Sequence, residues 1–115
     1  MTQTIINTEP VLDNEGYLVD MTTWTKETAL EIARLDELAL TNEHWLIINY
    51  LRNFYQQFPT IKTPTMRVLI KELIPLLGTE KANSIYFHQL FSKGLVQACR
   101  IAGLPKSTRC NKNVF

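Results

Sequence analysis

The stretch TNEHWLIINYLRNFYQQF, residues 41–58, decides the fold class. Its apolar side chains recur every three or four residues, which predicts an amphipathic helix that begins near Thr41. Glu43 stands in the first turn, where the helix dipole favours an acid, and Pro59 lies just beyond the end. The apolar face is broad enough for burial on more than one side, so we expect this helix to be central. That face comprises Trp45, Ile47, Ile48, Tyr50, Leu51, Phe54, Tyr55 and Phe58.

The sequence downstream of this helix predicts three more helices. Thr63-Pro64 is expected to open one, with proline at the first helical position, and Pro75 is expected to end or kink it near Ile74. After a turn at Gly78, Thr79-Glu80 is expected to begin the next helix, over about residues 80–91. The last helix covers about Leu95–Ala102, because Gly103 fits a C-terminal cap and Pro105 cannot continue it.

The sequence upstream predicts one helix after a short extended region. Thr25 is a candidate N-cap for a helix with apolar residues from Ala29 to Leu35. Before it, β-forming residues indicate a small hairpin over roughly Ile5–Leu12, and residues 13–16 form a turn with Gly16 at its end. The pattern indicates a mainly α protein of one domain, residues 1–104, followed by an arm, residues 105–115.

The charges are distributed unevenly along the chain. Residues 1–80 carry six Lys or Arg against all eleven acids, while residues 81–115 carry six Lys or Arg and no acid. Either the C-terminal third faces an anionic partner, or the split is chance in a short chain. No apolar run approaches the roughly 18 residues that span a bilayer, and the N-terminus lacks the pattern of a signal peptide. We therefore expect a cytoplasmic protein without membrane contact, in which thiols stay reduced.

Cys110 is the sharpest candidate for a functional residue. It lies in the aperiodic segment after Pro105, with Arg109 beside it and Lys106 and Lys112 close by. Positive neighbours stabilise a thiolate and lower its pKa, and the thiolate is the nucleophilic form. A reactive thiol for redox or sulfur-transfer chemistry is one interpretation, and an incidental surface cysteine is the other.

Cys99 lies in the predicted last helix, eleven positions before Cys110. Between Ala98 and Ala102 it is either a small buried apolar residue or a thiol that resolves chemistry at Cys110. Eleven residues can span up to roughly 36 Å, so an internal disulfide is within reach of the arm.

Other chemistries find less support in the sequence. His44 and His88 do not pair with the cysteines at zinc-site spacing, and no cofactor or metal is expected. The two helices around Gly78 resemble a helix-turn-helix, whose exposed positions would include Lys81, Asn83, Ser84, His88 and Gln89. Because Lys81 and the nearby Lys93 offer few phosphate contacts, we expect these helices to serve packing rather than nucleic-acid binding.

The C-terminal block QACRIAGLPK, residues 97–106, followed by Thr108 and Cys110, resembles the TusE/DsrC family of sulfur-relay proteins. Matching residues extend the resemblance over about residues 12–110. They include Gly16-Tyr17-Leu18, Glu43-His44-Trp45, Leu51-Arg52-Asn53-Phe54-Tyr55, Pro64, Arg67, Leu69, Glu80-Lys81, Asn83-Ser84, Tyr86, Leu90-Phe91 and Gly94.

The resemblance implies an orthogonal helical bundle with an N-terminal hairpin and a flexible C-terminal arm. It implies a sulfurtransferase in the sense of a persulfide carrier, with the sulfur on Cys110 and with Arg109, Lys106, Lys112 and Arg100 near the thiolate or a partner. In the TusE branch, the partners are an upstream sulfur-donor relay complex and a downstream enzyme that thiolates the wobble uridine of tRNA. In the DsrC branch, Cys99 joins Cys110 in a dithiol cycle with a dissimilatory sulfite reductase, which resembles a thiol redox switch.

The sequence departs from both branches of the family. It keeps both cysteines, as DsrC members do, yet Arg109 stands where DsrC members have glycine, which is nearer to TusE. The residues Asn111–Phe115 follow Cys110, whereas the family usually ends one residue after that cysteine. These additional residues would hinder full insertion of Cys110 into a narrow channel of a partner.

Overall fold

Five α-helices form the part of the chain that the computed structural model describes, residues 11–105. They are α1 (Lys26–Leu35), α2 (Asn42–Gln57), α3 (Met66–Leu77), α4 (Ser84–Leu90) and α5 (Leu95–Ile101), and a 3-10 turn (Met21–Thr23) precedes them. The mainly α prediction is confirmed. The predicted hairpin falls almost wholly outside the described residues, and so does the arm from residue 106 onwards.

A tight turn opens the described region. The Asp13 carboxylate accepts hydrogen bonds from the amides of Glu15 (2.8 Å) and Tyr17 (3.0 Å), and Gly16 takes a φ of 86°. One antiparallel bridge between Leu12 and Leu18 closes the turn, and no strand is present within residues 11–105. The turn predicted over residues 13–16 is therefore confirmed.

Side chains at the helix starts explain where α1 and α2 begin. In α1, Thr25 Oγ1 accepts the amide of Thr28 (3.2 Å) and Thr28 Oγ1 accepts the amide of Thr25 (3.1 Å), a reciprocal capping box. In α2, the amide of Thr41 donates to His44 Nδ1 (2.9 Å). Both starts agree with the sequence prediction, because a side chain in the first turn accepts a backbone amide that lacks a helical partner.

Three predicted boundaries are wrong. Pro64 is not the first helical position: α3 begins at Met66, because Thr65 Oγ1 accepts the Val68 amide (3.2 Å). Pro75 does not end α3 near Ile74, since a proline in the last turn removes only one amide and the helix runs to Leu77. The next helix begins at Ser84 rather than at residues 79–80, because the Asn83 side chain caps it by accepting the Tyr86 amide (2.8 Å).

The predicted central position of α2 is confirmed. α2 packs against both α5 and α3, and α5 also packs against α1. Ile47, Ile48 and Leu51 on α2 are fully buried, while Phe58, beyond the helix end, is 45% exposed. α5 is buried along most of its length, so its end is held at a defined place on the body. Within residues 11–105, no helix is long and apolar enough to cross a lipid bilayer.

Candidate functional site

The candidate site lies at the end of α5, the last described helix before Cys110 in the sequence. Cys110 and its predicted basic neighbours Lys106, Arg109 and Lys112 lie outside the described residues. Cys99 and Arg100 lie within α5, so the structure defines the base from which the thiol-bearing segment starts.

Cys99 is fully buried in the core. Its neighbours Ala98 and Ile101 have no accessible surface either, and its backbone carbonyl accepts the amide of Leu104 (3.1 Å). A buried thiol reacts only when the surrounding structure opens, because a thiolate needs access as well as charge. A disulfide between Cys99 and Cys110 would therefore require the last turn of α5 to open.

Arg100 is held against α1 by an ion pair. Its Nη2 lies 3.2 Å from Asp36 Oδ2, and only 14% of its side chain is exposed. Asp36 also accepts a hydrogen bond from Gln97 Nε2 (3.0 Å) and lies 3.4 Å from Lys93 Nζ. The positive charge of Arg100 is thus compensated within the body. Its predicted role towards the thiolate or a partner stays a prediction.

The Asp36 cluster also sets the protonation of its carboxylate. Burial raises the pKa of Asp36, but the Gln97 hydrogen bond and the charges of Arg100 and Lys93 together outweigh it. The net result is a pKa below the ordinary value. Asp36 therefore stays ionised and ties the C-terminal end of α1 to α5 over the whole neutral range.

The C-terminal end of α5 is a complete Schellman motif. The amide of Gly103 donates to the carbonyl of Arg100 (3.1 Å) and the amide of Leu104 donates to that of Cys99 (3.1 Å). Gly103 has a φ of 73°, the left-handed conformation that the motif requires. The prediction of Gly103 as a helix cap is confirmed.

Two distant side chains complete this helix end. Trp24 Nε1 donates to the carbonyl of Ile101 (2.9 Å), and Arg52 Nη1 donates to the carbonyl of Ala102 (2.7 Å). The Arg52 guanidinium also stacks on the Trp24 ring, 3.9 Å from its centroid. We call Trp24 and Arg52 the carbonyl clamp. Its roles were not predicted, because the contacts join residues 77 and 50 positions apart in sequence.

A shallow groove of about 200 Å³ lies beside the carbonyl clamp. It is lined by Met21, Thr22, Arg52, Tyr55, Gln56 and Leu104. Because Leu104 is the second-last described residue, the groove adjoins the point from which the segment with Cys110 continues.

A second polar cluster joins α2 to α4 away from this helix end. The Glu43 carboxylate accepts hydrogen bonds from the Tyr86 hydroxyl and from Lys81 Nζ (2.9 Å), which lower its pKa. Lys81 and Asn83, two of the positions that a DNA-binding helix-turn-helix would expose, make contacts within the protein. These contacts suit the expectation that the two helices serve packing rather than nucleic-acid binding, which stays a prediction.

His44 joins the same two elements from inside the core. Since its Nδ1 accepts the Thr41 amide, Nε2 carries the proton and donates to the carbonyl of Leu90 (2.6 Å). The ring lies edge-on to Phe91 and is 4% exposed. Among residues 11–105, no group of three His, Cys, Asp or Glu side chains is placed to hold a metal ion.

The comparisons with known proteins agree with the resemblance seen in the sequence. The family model described as "DsrC like protein" matches residues 4–111. Sulfurtransferase TusE of Buchnera aphidicola subsp. Schizaphis graminum is 48% identical over 99 residues, which cover 85% of each chain. Sulfurtransferase TusE of Escherichia coli O6:H1 is 42% identical, over 85% of this chain and 89% of its own length.

Two solved structures share the fold. The NMR structure of Allochromatium vinosum DsrC has a TM-score of 0.74 and 46% identity, and covers 84% of this chain and 86% of its own. The crystal structure of the oxidized gamma-subunit of the dissimilatory sulfite reductase (DsrC) from Archaeoglobus fulgidus has a TM-score of 0.75 and 36% identity, with coverages of 84% and 88%.

The chain therefore belongs to the DsrC-like family. Its curated relatives are sulfurtransferases of the TusE type, so it is a sulfur-relay protein, and the predictions of family and function class are confirmed. The matched region extends past Cys110 and leaves residues 112–115 outside the family model.

Proposed function

We propose that this protein carries sulfur as a persulfide on Cys110 and passes it to a downstream protein. The observation that carries the proposal is the match to the DsrC-like family, which extends to residue 111 and so includes Cys110. The burial of Cys99 adds support, because a partner would reach the Cys99 thiol only after local opening of the body.

The chemistry at Cys110 needs no external oxidant. The Cys110 thiolate attacks the outer sulfur of a donor persulfide, the donor's S–S bond breaks, and the donor leaves as a thiolate. The outer sulfur carries its proton along, so the product is a persulfide on Cys110. A downstream thiolate then attacks that outer sulfur in the same way, and Cys110 returns to a thiolate.

The charges around the thiol favour this chemistry. Within the described body, Lys81 pairs with Glu43, while Lys93 and Arg100 pair with Asp36. Of the six basic residues after position 80, the three left to lower the pKa of the Cys110 thiol are therefore Lys106, Arg109 and Lys112, its neighbours in sequence. The same three charges would steer the segment towards an acidic surface on a partner.

The proposed partners follow the TusE branch. An upstream sulfur-donor relay complex would load Cys110, and an enzyme that thiolates the wobble uridine of tRNA would receive the sulfur. A cytoplasmic location, where thiols remain reduced, suits this relay and belongs to the proposal.

A second candidate is a dithiol cycle between Cys99 and Cys110 with a sulfite reductase. It is favoured by the presence of both cysteines and by the structural likeness to the DsrC gamma-subunit of A. fulgidus. The buried position of Cys99 argues for the single-thiol relay, because the dithiol cycle needs α5 to open in every turnover.

Radiolabelled glutathione persulfide tests the proposal and separates the two candidates. We expect wild type and Cys99→Ser to take up the label equally and to release it to a free thiol at the same rate. Cys110→Ser should take up none. Uptake by Cys110→Ser equal to that of wild type would refute the carrier role, and loss of release in Cys99→Ser would favour the dithiol cycle.

A further inference from the structure

We infer that Trp24 and Arg52 are positioning residues that fix the starting point of the segment carrying Cys110, an inference that rests on the proposed carrier role. They act through the backbone of α5 rather than on the sulfur. Trp24 and Arg52 come from distant segments of the chain, yet they donate to two adjacent carbonyls, those of Ile101 and Ala102. These carbonyls lie at the end of α5, close to the last described residue.

The clamp satisfies carbonyls that the helix itself cannot satisfy. The last four carbonyls of a helix lack intrahelical partners, and the Schellman motif provides for those of Cys99 and Arg100. Trp24 and Arg52 provide donors for the next two, Ile101 and Ala102. Every carbonyl from Cys99 to Ala102 thus has a donor, which opposes fraying of the last turn.

Arg52 makes this contact in place of an ion pair. No carboxylate within residues 11–105 forms a salt bridge with Arg52, and partial burial lowers the pKa of its guanidinium. Partial burial of a charged guanidinium costs free energy. Here the hydrogen bond to the Ala102 carbonyl and the stacking on the Trp24 ring offset that cost. An apolar residue at this position would leave the Ala102 carbonyl without this donor, so the contact with the end of α5 requires a polar side chain here.

A fixed end of α5 limits the volume within which the Cys110 sulfur can lie. Cys110 is five positions after Pro105, so the thiol stays within about 18 Å of the described end of the chain. If the last turn of α5 frayed, the stretch of chain between the ordered helix and Cys110 would begin near Cys99 and its length would about double. The effective concentration of the thiol at a nearby partner falls roughly as the −3/2 power of that length.

The test measures this effective concentration directly. The substitution Gln56→Cys places a second thiol on the rim of the groove beside the clamp. Exchange with oxidised glutathione then allows this thiol to form a disulfide with Cys110. The background carries Cys99→Ala so that one pair can form. The effective concentration of the Cys110 thiol is the first-order rate constant of ring closure divided by the second-order rate constant of mixed-disulfide formation.

We expect Arg52→Met to lower the effective concentration about twofold to fivefold and to leave the alkylation rate of Cys110 by iodoacetamide unchanged. Trp24→Phe should act in the same direction, because it keeps a ring but removes the donor. Arg34→Met is the matched control, since the Arg34 side chain is mostly exposed and forms an ion pair with Glu31 of its own helix, α1. It should change neither quantity.

An effective concentration unchanged in both clamp variants would overturn the inference, as would an equal fall in the control. If Arg52→Met does not fold at the temperature of the assay, the milder Trp24→Phe decides between these outcomes. Failure of the proposed function is a separate result: wild type would then take no sulfur from glutathione persulfide, while the effective concentration would still report on the clamp.

Discussion

Gly103 sits against the ring of Trp24 so closely that a Cβ on Gly103 would overlap Cδ1 and lie 2.9 Å from Cγ. The same glycine has the positive φ that ends α5, and the same tryptophan donates to the carbonyl two residues before it. The contact therefore brings together the helix cap, the carbonyl clamp and the last described residues of the chain.

Gly103→Ala should destabilise the protein by about 3 kcal/mol, because a strained φ and an overpacked contact act together. The matched control is Gly78→Ala, which also has a positive φ of 91° but would place its Cβ in open space. The control should cost about 1 kcal/mol. Urea denaturation followed by circular dichroism measures both, and equal losses would contradict the close packing of Gly103 on Trp24.

Asp36→Asn should lower stability at neutral pH by about 1–2 kcal/mol, because charge-assisted contacts to Arg100, Lys93 and Gln97 are weakened. Since the pKa of Asp36 is depressed in the folded protein, this stabilisation is fully present above the ordinary carboxyl pKa of about 3.9. It is lost as the pH falls through the folded value. The melting temperatures of both proteins should therefore approach each other as the pH falls below the ordinary carboxyl pKa of about 3.9; a constant gap down to acid pH would speak against the ionised cluster.

His44→Ala should cost about 2–4 kcal/mol, since it opens a cavity beside Phe91 and leaves the buried Leu90 carbonyl without its donor. His88 provides the comparison, because it is exposed and its Nδ1 donates to the Ser84 carbonyl of its own helix. Its replacement by alanine should change stability by less than about 1 kcal/mol. Thermal melts of the two variants suffice, and a larger effect at His88 would reverse this assignment.

Cys99 should react with iodoacetamide at least about 100-fold more slowly than Cys110 in the native protein, because its modification requires local opening. Mass spectrometry of tryptic peptides at successive times gives both rates in a single sample. In urea the two rates should converge. Equal rates under native conditions would show that Cys99 is accessible and would restore it as a resolving thiol.

The helices that depend on local signals could be predicted from sequence, and α2 and α5 are the best examples. The capping residues Thr41 and Gly103 and the apolar repeat between Trp45 and Tyr55 act within one or two turns, so sequence neighbours define them. The prediction failed at Pro75 and before Ser84, where a proline tolerated in a last turn and an asparagine cap decided the boundaries.

The carbonyl clamp shows why part of the site could not be predicted. Its acceptors are backbone carbonyls, which every residue has, so nothing in the sequence marks Ile101 and Ala102 as partners. Arg52 appeared only as one of the residues shared with the family, and Trp24 carried no signal. Tertiary packing of α5 against α1 and α2 is what brings these groups together.

Peptide mass mapping after exposure to glutathione persulfide most directly tests whether this protein carries sulfur on Cys110. The account predicts a gain of about 32 Da, one sulfur atom, on the peptide with Cys110, removed by dithiothreitol and absent from Cys110→Ser. The peptide with Cys99 should keep its mass. Sulfur found on Cys99 instead, or no gain on either peptide of the folded wild-type protein, would contradict the account.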